Sequence, residues 1–258
     1  MPAATRKTKD SPAKPSPRII RSFSRNPISS SACSRSALIL EYTHESAQAL
    51  LKAYHLARGE RAGSGKRAPR GMSTDEEQDL LRAMLVMAAA GLDSLVKQLV
   101  RDALPSLVHL DQRATTGLTR FISNRFDADD PLDRSPKGRN FLAAVLSRKD
   151  PASAVTLAYV DYLTSGSLQS VEELARCAAA FGFSDQDLKI DFESLRPIFA
   201  TRNKIIHELD IKFSADRRNR NLRRQTRMIT STNEVLAVGE NLLVAVDKKV
   251  RSLGGSPP

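Results

Sequence analysis

Residues 73 to 104 read "STDEEQDLLRAMLVMAAAGLDSLVKQLVRDAL". Leu81, Met84, Leu85, Ala88, Leu92, Leu95, Val96 and Leu99 recur at spacings of three and four, the pattern of one face of an α-helix. Ser73 and Glu76 have the spacing of a capping box, and Asp75, Glu77 and Asp79 favour the positive end of a helix dipole. The pattern predicts one long helix from Ser73 to about Leu104, ended by Pro105. An apolar face of that length is stable only against other helices or a sheet, so the fold turns on what the rest of the chain supplies.

The rest supplies helices. Leu38, Leu40, Tyr42, Ala47, Leu50, Leu51 and Tyr54 give a helical pattern from Ser36 to about Arg61, followed by the linker "AGSGKRAPRGM". A shorter helix is expected near 111–125, then a loop, then helices near Arg139–Ser147 and Ala152–Leu163. Ser170 with Glu173 caps another, ending at "FGF" (181–183). A helix from about Ser194 to Asp210 holds Pro197 in its first turn, and Ser231 with Glu234 caps a last helix from Asn233 to about Leu253. No strand pattern and no internal repeat emerge. Trp is absent and aromatic residues make up 5%, which also favours helices. The expectation is an all-α bundle of six or seven helices, organised as a disordered basic tail (1–36), an N-terminal helix with its linker (37–72) and a helical domain (73–253).

Cys33 and Cys177 lie far apart, and no Cys/His cluster exists, so neither a metal site nor a disulfide framework is expected, and no cofactor. No signal-peptide core is apparent and no apolar run reads as long enough to span a bilayer, which points to the cytoplasm and away from a membrane. The net charge of +11 is uneven: residues 1–36 carry +7 and residues 212–227 carry +6, leaving −2 for everything else. Two basic segments on a nearly neutral body suit a polyanion, with nucleic acid first, or are simply a solvated tail and loop. The loop arginines Arg217, Arg218, Arg220, Arg223, Arg224 and Arg227 have no aromatic residues among them, which suits backbone attraction rather than base stacking.

Residues 202 to 208, "RNKIIHE", hold the sharpest functional signal. Around the helix axis Arg202 falls inside the stripe of Leu195, Ile198, Phe199, Ile205, Ile206 and Leu209, while Asn203, His207 and Asp210 share a flank. An arginine keeps its charge, so it either pairs with an internal acid or faces a cleft that holds an anion. A histidine is titratable near neutrality, and beside a fixed cation it can move the protons of a phosphate ester. Asp93, at the edge of the long helix's apolar face, is either the partner that orients Arg202 or His207 or an exposed helix acid. His44, His55 and His109 read as surface or packing residues, and "AGSGKRAP" lacks the strand and spacing of a P-loop.

The "RNKIIH" run resembles the R-x(4–6)-H motif of the HEPN superfamily, in which a polar residue follows the Arg, here Asn203. The long helix resembles the opening helix of the RiboL-PSP-HEPN subgroup, where an acid often occupies the place of Asp93. The resemblance spans about residues 73–253. It implies a metal-independent endoribonuclease, a toxin or anti-phage effector that leaves 2′,3′-cyclic phosphates. It implies that Arg202 holds the scissile phosphate, His207 performs acid–base chemistry and Asn203 orients one of them. It further implies a homodimer with one composite site, RNA as substrate, and an antitoxin or defence-system partner. The alternative within the same resemblance is a non-catalytic module binding nucleotide, RNA or a protein partner.

Overall fold

A computed structural model describes residues 19–63, 73–126, 136–168, 170–213 and 220–254. The architecture is all-α, as expected. In chain order the helices are α1 (Ser31–Gly63), α2 (Asp75–Leu110), α3 (Gln112–Phe126), α4 (Pro136–Leu146), α5 (Pro151–Thr164), α6 (Val171–Ala180), α7 (Asp185–Leu188), a 3₁₀ turn (Phe192–Leu195), α8 (Arg196–Glu208) and α9 (Gln225–Ser252). No strand occurs among the described residues, and Ile211 and Arg220 form a single isolated antiparallel bridge.

The long helix α2 is the axis of the bundle and packs on α1, α9, α3, α5 and α8. Its face from Leu81 to Leu107 is almost wholly buried, with Leu85, Leu95, Val96 and Leu99 fully enclosed. Truncating one of these leucines to alanine costs about 2–5 kcal/mol. Helix α1 lies along α2 and contributes Ala37, Leu40, Ala47, Leu51 and Tyr54 to the same core. At Gly91 the Thr43 side chain of α1 packs directly on the α2 backbone, and a Cβ there would stand 2.1 Å from Thr43 Oγ1.

Several boundaries differ from the sequence expectation. The cap of α2 is Thr74 with Glu77, one residue beyond Ser73 and Glu76: Thr74 Oγ1 accepts from the Glu77 amide at 3.3 Å and Glu77 reaches back to the Thr74 amide. Pro105 does not end α2, because Ala103, Leu104, Leu107 and Val108 are all buried around and beyond the expected stop, and that burial offsets the missing backbone bond. The helix stops at Asp111, whose side chain turns to accept the Ala114 amide at 2.8 Å and so starts α3. Helix α9 begins at Gln225 rather than Asn233, since Met228, Ile229 and Thr232 are buried and tertiary packing outweighs the Ser/Thr preference for a cap. By contrast, the Ser170–Glu173 box and the placement of Pro197 in the first turn of α8 are found as expected.

The reading of residues 1–36 as disordered fails over its second half; residues 1–18 lie outside the described residues. Residues 19–30 form a strap across α1 and α9. Asn233 accepts from the Arg21 amide at 3.1 Å and donates to the Ile19 carbonyl at 2.9 Å, and Ile20 is buried. Asp247 Oδ1 accepts from the Ser29 and Ser30 amides at 3.1 and 2.7 Å, directly ahead of α1. His44, buried, stacks on Phe23 and bonds the Arg21 carbonyl through Nδ1 at 2.8 Å. The membrane expectation also needs correction: α2 is long and apolar enough to cross a bilayer by length and composition, and half of that window is buried inside the bundle.

Candidate functional site

Helix α8 carries the motif. Its entry is fixed by the 3₁₀ turn before it, where Asp191 accepts from the Glu193 amide at 3.1 Å. Ile198, Phe199 and Ile205 seat it against the core. Arg202 projects from the same side and is half-buried. Its guanidinium lines a cavity of about 220 Å³ together with Asp93, Ala89 and Ala90 of α2, Ser167 and Leu168 of the α5–α6 connection, and Phe199. Burial lowers the proton affinity of Arg202, and the nearby Asp93 charge opposes that shift. Arg202 Nη1 donates to Asn203 Oδ1 at 3.0 Å.

Asp93 is held firmly. Its Oδ1 accepts from the Leu168 amide at 2.7 Å, and its Oδ2 accepts from Lys97 Nζ at 2.9 Å one helical turn along. The carboxylate therefore ties α2 to the α5–α6 connection and lines the same cavity as Arg202. Of the two sequence alternatives for Asp93, the exposed acid is excluded.

His207 is in the last turn of α8 and is exposed, outside the cavity. Five residues at about 100° each separate it from Arg202 by about 140° around the axis. One chain thus brings together Arg202, Asn203 and Asp93, and leaves His207 on another face.

The sequence expectation that Asp210 shares the flank of His207 is overturned. Helix α8 ends at Glu208; Leu209 and Asp210 take left-handed backbone angles (φ 49° and 60°), which turns Asp210 inward to complete burial. There it accepts from Arg82 Nε at 3.1 Å, Asn221 Nδ2 at 3.0 Å and Arg223 Nε at 2.8 Å, with a further close contact from Arg223 Nη2. Burial pushes the Asp210 carboxyl up, but the Arg223, Arg82 and Asn221 hydrogen bonds prevail and hold it below the usual carboxylate range. Asp79 extends the network by pairing with Arg82 and Arg220 at 3.0 and 2.7 Å. Gln78 completes it, accepting from the Arg223 amide at 2.7 Å and donating to the Arg223 carbonyl at 3.0 Å.

The loop arginines accordingly divide. Arg220 and Arg223 are committed to Asp79 and Asp210, Arg224 and Arg227 are exposed at the start of α9, and Arg217 and Arg218 lie outside the described residues. The buried network escaped sequence reading, although Arg82 inside the apolar run of α2 is the same kind of signal as Arg202 in α8. Both cysteines are buried, and burial raises each thiol to about 12, which leaves no thiolate at neutral pH. No group of three metal-ligating side chains gathers among the described residues.

No protein-family model matches the chain, and neither a curated protein nor a solved structure matches it. The site therefore stands on its own geometry.

Proposed function

We propose that the protein is a metal-independent endoribonuclease of the HEPN type, acting as a cytoplasmic toxin or anti-phage effector under the control of a partner protein. The observation that carries this reading is Arg202: a guanidinium half-buried at a small cavity, bonded to Asn203, sharing that cavity with the anchored carboxylate of Asp93. Such a group suits a phosphate whose negative charge grows in the transition state. In the reaction the RNA 2′-hydroxyl loses its proton, its oxygen bonds to phosphorus, and the P–O5′ bond breaks as the leaving oxygen takes up a proton. Arg202 balances the charge of the phosphorane, His207 performs one of the two proton transfers and solvent water performs the other. Because His207 faces away from its own Arg202, the composite site calls for a second copy. The exposed apolar side chains of Ile206 and Leu209, beside His207 in sequence, and of Phe213 and Leu222 in the segment that follows α8 support such a partner surface.

The same separation of His207 from the cavity favours a second reading, a non-catalytic module that holds an RNA, a nucleotide or a protein partner through Arg202. Incubation with labelled RNA in EDTA separates the two. Under the nuclease reading the parent cuts RNA to cyclic phosphates, and Arg202→Ala and His207→Ala each slow cutting by about 10²–10⁴-fold. Since His207 is exposed, its variant folds; a folded His207→Ala protein that cuts as fast as the parent sinks the nuclease reading.

A further inference from the structure

A second and larger cavity lies elsewhere on the bundle, between α3, α5, α6 and the start of α7. It is open to solvent, occupies about 770 Å³ and shares no lining residue with the Arg202 cavity. Its walls combine two chemistries. Three arginines, Arg113 and Arg120 from α3 and Arg176 from α6, stand around it against a single carboxylate, Asp187. That carboxylate is already engaged by Arg113 at 3.4 Å and by the Ser184 amide and hydroxyl at 2.9 and 2.8 Å. Neither Arg120 nor Arg176 enters an ion pair among the described residues, and the described lining holds three arginines to one carboxylate.

The floor is aromatic; of its rings Phe121 and Tyr159 are buried in the core and Tyr162 is exposed. Phe121 packs on Tyr159 and Tyr162 with ring centroids 5.1 and 5.2 Å apart, and Arg176 stands 5.7 Å from the Tyr162 ring. Gly117 lets Tyr159 pack against α3: a Cβ there would lie 2.8 Å from the Tyr159 hydroxyl. Burial raises that hydroxyl to about 12, so it stays protonated. Asn124 and Gln186 add groups that both donate and accept at the rim. The turn that shapes the wall is fixed by Gly182, whose φ of 75° and close neighbours Arg113, Lys249 and Asp111 leave no room for a side chain.

We propose that this cavity is a binding site for a nucleoside phosphate, with Arg120 and Arg176 holding the phosphate and the exposed Tyr162 ring receiving the base. An inorganic anion alone would leave most of the volume and the exposed Tyr162 ring unused, and an uncharged aromatic ligand would leave the arginines unanswered. A planar ring with a phosphate attached meets both, and Asn124 and Gln186 match the hydrogen-bonding edge of a base. The site uses none of Arg202, Asn203, His207 or Asp93, and stands whether or not the nuclease reading holds.

The test is isothermal titration of the full chain with each of the four nucleoside 5′-monophosphates, with inorganic phosphate and adenosine in parallel. At least one monophosphate binds, and at least about tenfold more tightly than phosphate or adenosine. Arg120→Ala with Arg176→Ala, both exposed positions, weakens it by about 10–100-fold. Ala179→Trp, which fills the cavity from α6 without removing charge, abolishes it. Arg202→Ala leaves it unchanged. Competition by an eight-nucleotide RNA shows that the nucleotide belongs to a strand, and absence of competition that it is free; either supports the site. Three results overturn it: no monophosphate binds at millimolar concentration, inorganic phosphate binds as well as the nucleotides, or binding survives the cavity variants and is lost in Arg202→Ala.

Discussion

Replacing Asp210 with asparagine isolates the interaction that shapes the end of the motif helix. Asp210 is fully buried and Arg82 is 3% exposed, so both charges are out of water and each depends on the other. Removing one member of such a pair costs about 3–5 kcal/mol, because the remaining charge stays buried. Asp79 still reaches Arg82 at 3.0 Å, which argues for the lower end, about 3 kcal/mol. For a chain of this size that lowers the melting temperature by about 6–12 °C. The assay is circular dichroism melting with a urea titration at pH 7, where the urea slope should be unchanged and the midpoint lowered. The pH dependence has a fixed sign. The folded-state carboxyl lies below its ordinary value of 3.8, so its stabilisation is present in full above that value and is lost as pH falls through the lower folded value. Parent and Asp210→Asn therefore differ fully at pH 7 and converge in acid. Added salt should barely change the difference, since the pair is buried. A variant melting within 1 °C of the parent at pH 7, a span of about 0.3–0.5 kcal/mol, refutes the ascribed role.

Gly91→Ala drives a methyl into Thr43 at the α1–α2 contact and should cost about 1–3 kcal/mol, read as a lower urea midpoint. Asp247→Ala removes the acceptor of the Ser29 and Ser30 amides; their hydrogen exchange should quicken and stability fall by about 1–3 kcal/mol. Arg224→Ala with Arg227→Ala, both exposed, should leave the melting temperature unchanged while weakening RNA binding and reducing its salt slope by about 0.7 for each phosphate no longer neutralised. Arg223→Ala, by contrast, should lower the melting temperature through Asp210.

The fold class was legible because helix periodicity is a local signal, and α2 alone repeats it over more than seven turns. The ends of helices were less so. Pro105 and the Ser231–Glu234 pair are local stop and start signals, and each is overruled by apolar residues that bury against helices distant in sequence. The strap at residues 19–30 was missed because its hydrogen-bond partners, Asn233 and Asp247, lie more than 200 residues away, and its apolar anchors, Ile20, Phe23 and Ile28, are too sparse to make a local pattern. In the site, Arg202 stood out as a charge in an apolar stripe. Asp93 was legible only as one of two alternatives, since what holds it is the Leu168 amide, 75 residues on. Asp210 was misplaced for a geometric reason: an ideal helix was extended two residues too far, and the left-handed turn at Leu209 reverses the direction of the next side chain.

That turn bears on how Arg202 and His207 could serve one phosphate. Within one chain the rigid helix holds them about 140° apart, with one side chain in a cavity and the other in solvent. Rotamer changes do not bridge that angle, because the seat of Arg202 is fixed by Phe199 and the α2 face, and the end of α8 is locked by the Asp210 network. A second copy supplies the missing group only if the surface around His207 associates. That surface, with the segment that follows α8, is suited to it: Leu209, Phe213 and Leu222 are each more than half exposed, and burying such side chains contributes about 1.5–3 kcal/mol apiece. Light scattering at micromolar concentration without RNA should therefore report a dimer, and Leu209→Asp with Leu222→Asp should return it to a monomer that keeps its helical spectrum and loses cleavage. A parent protein that is monomeric at that concentration yet cuts RNA with dependence on His207 refutes the composite site, because the histidine would then have to act from the face where no arginine stands.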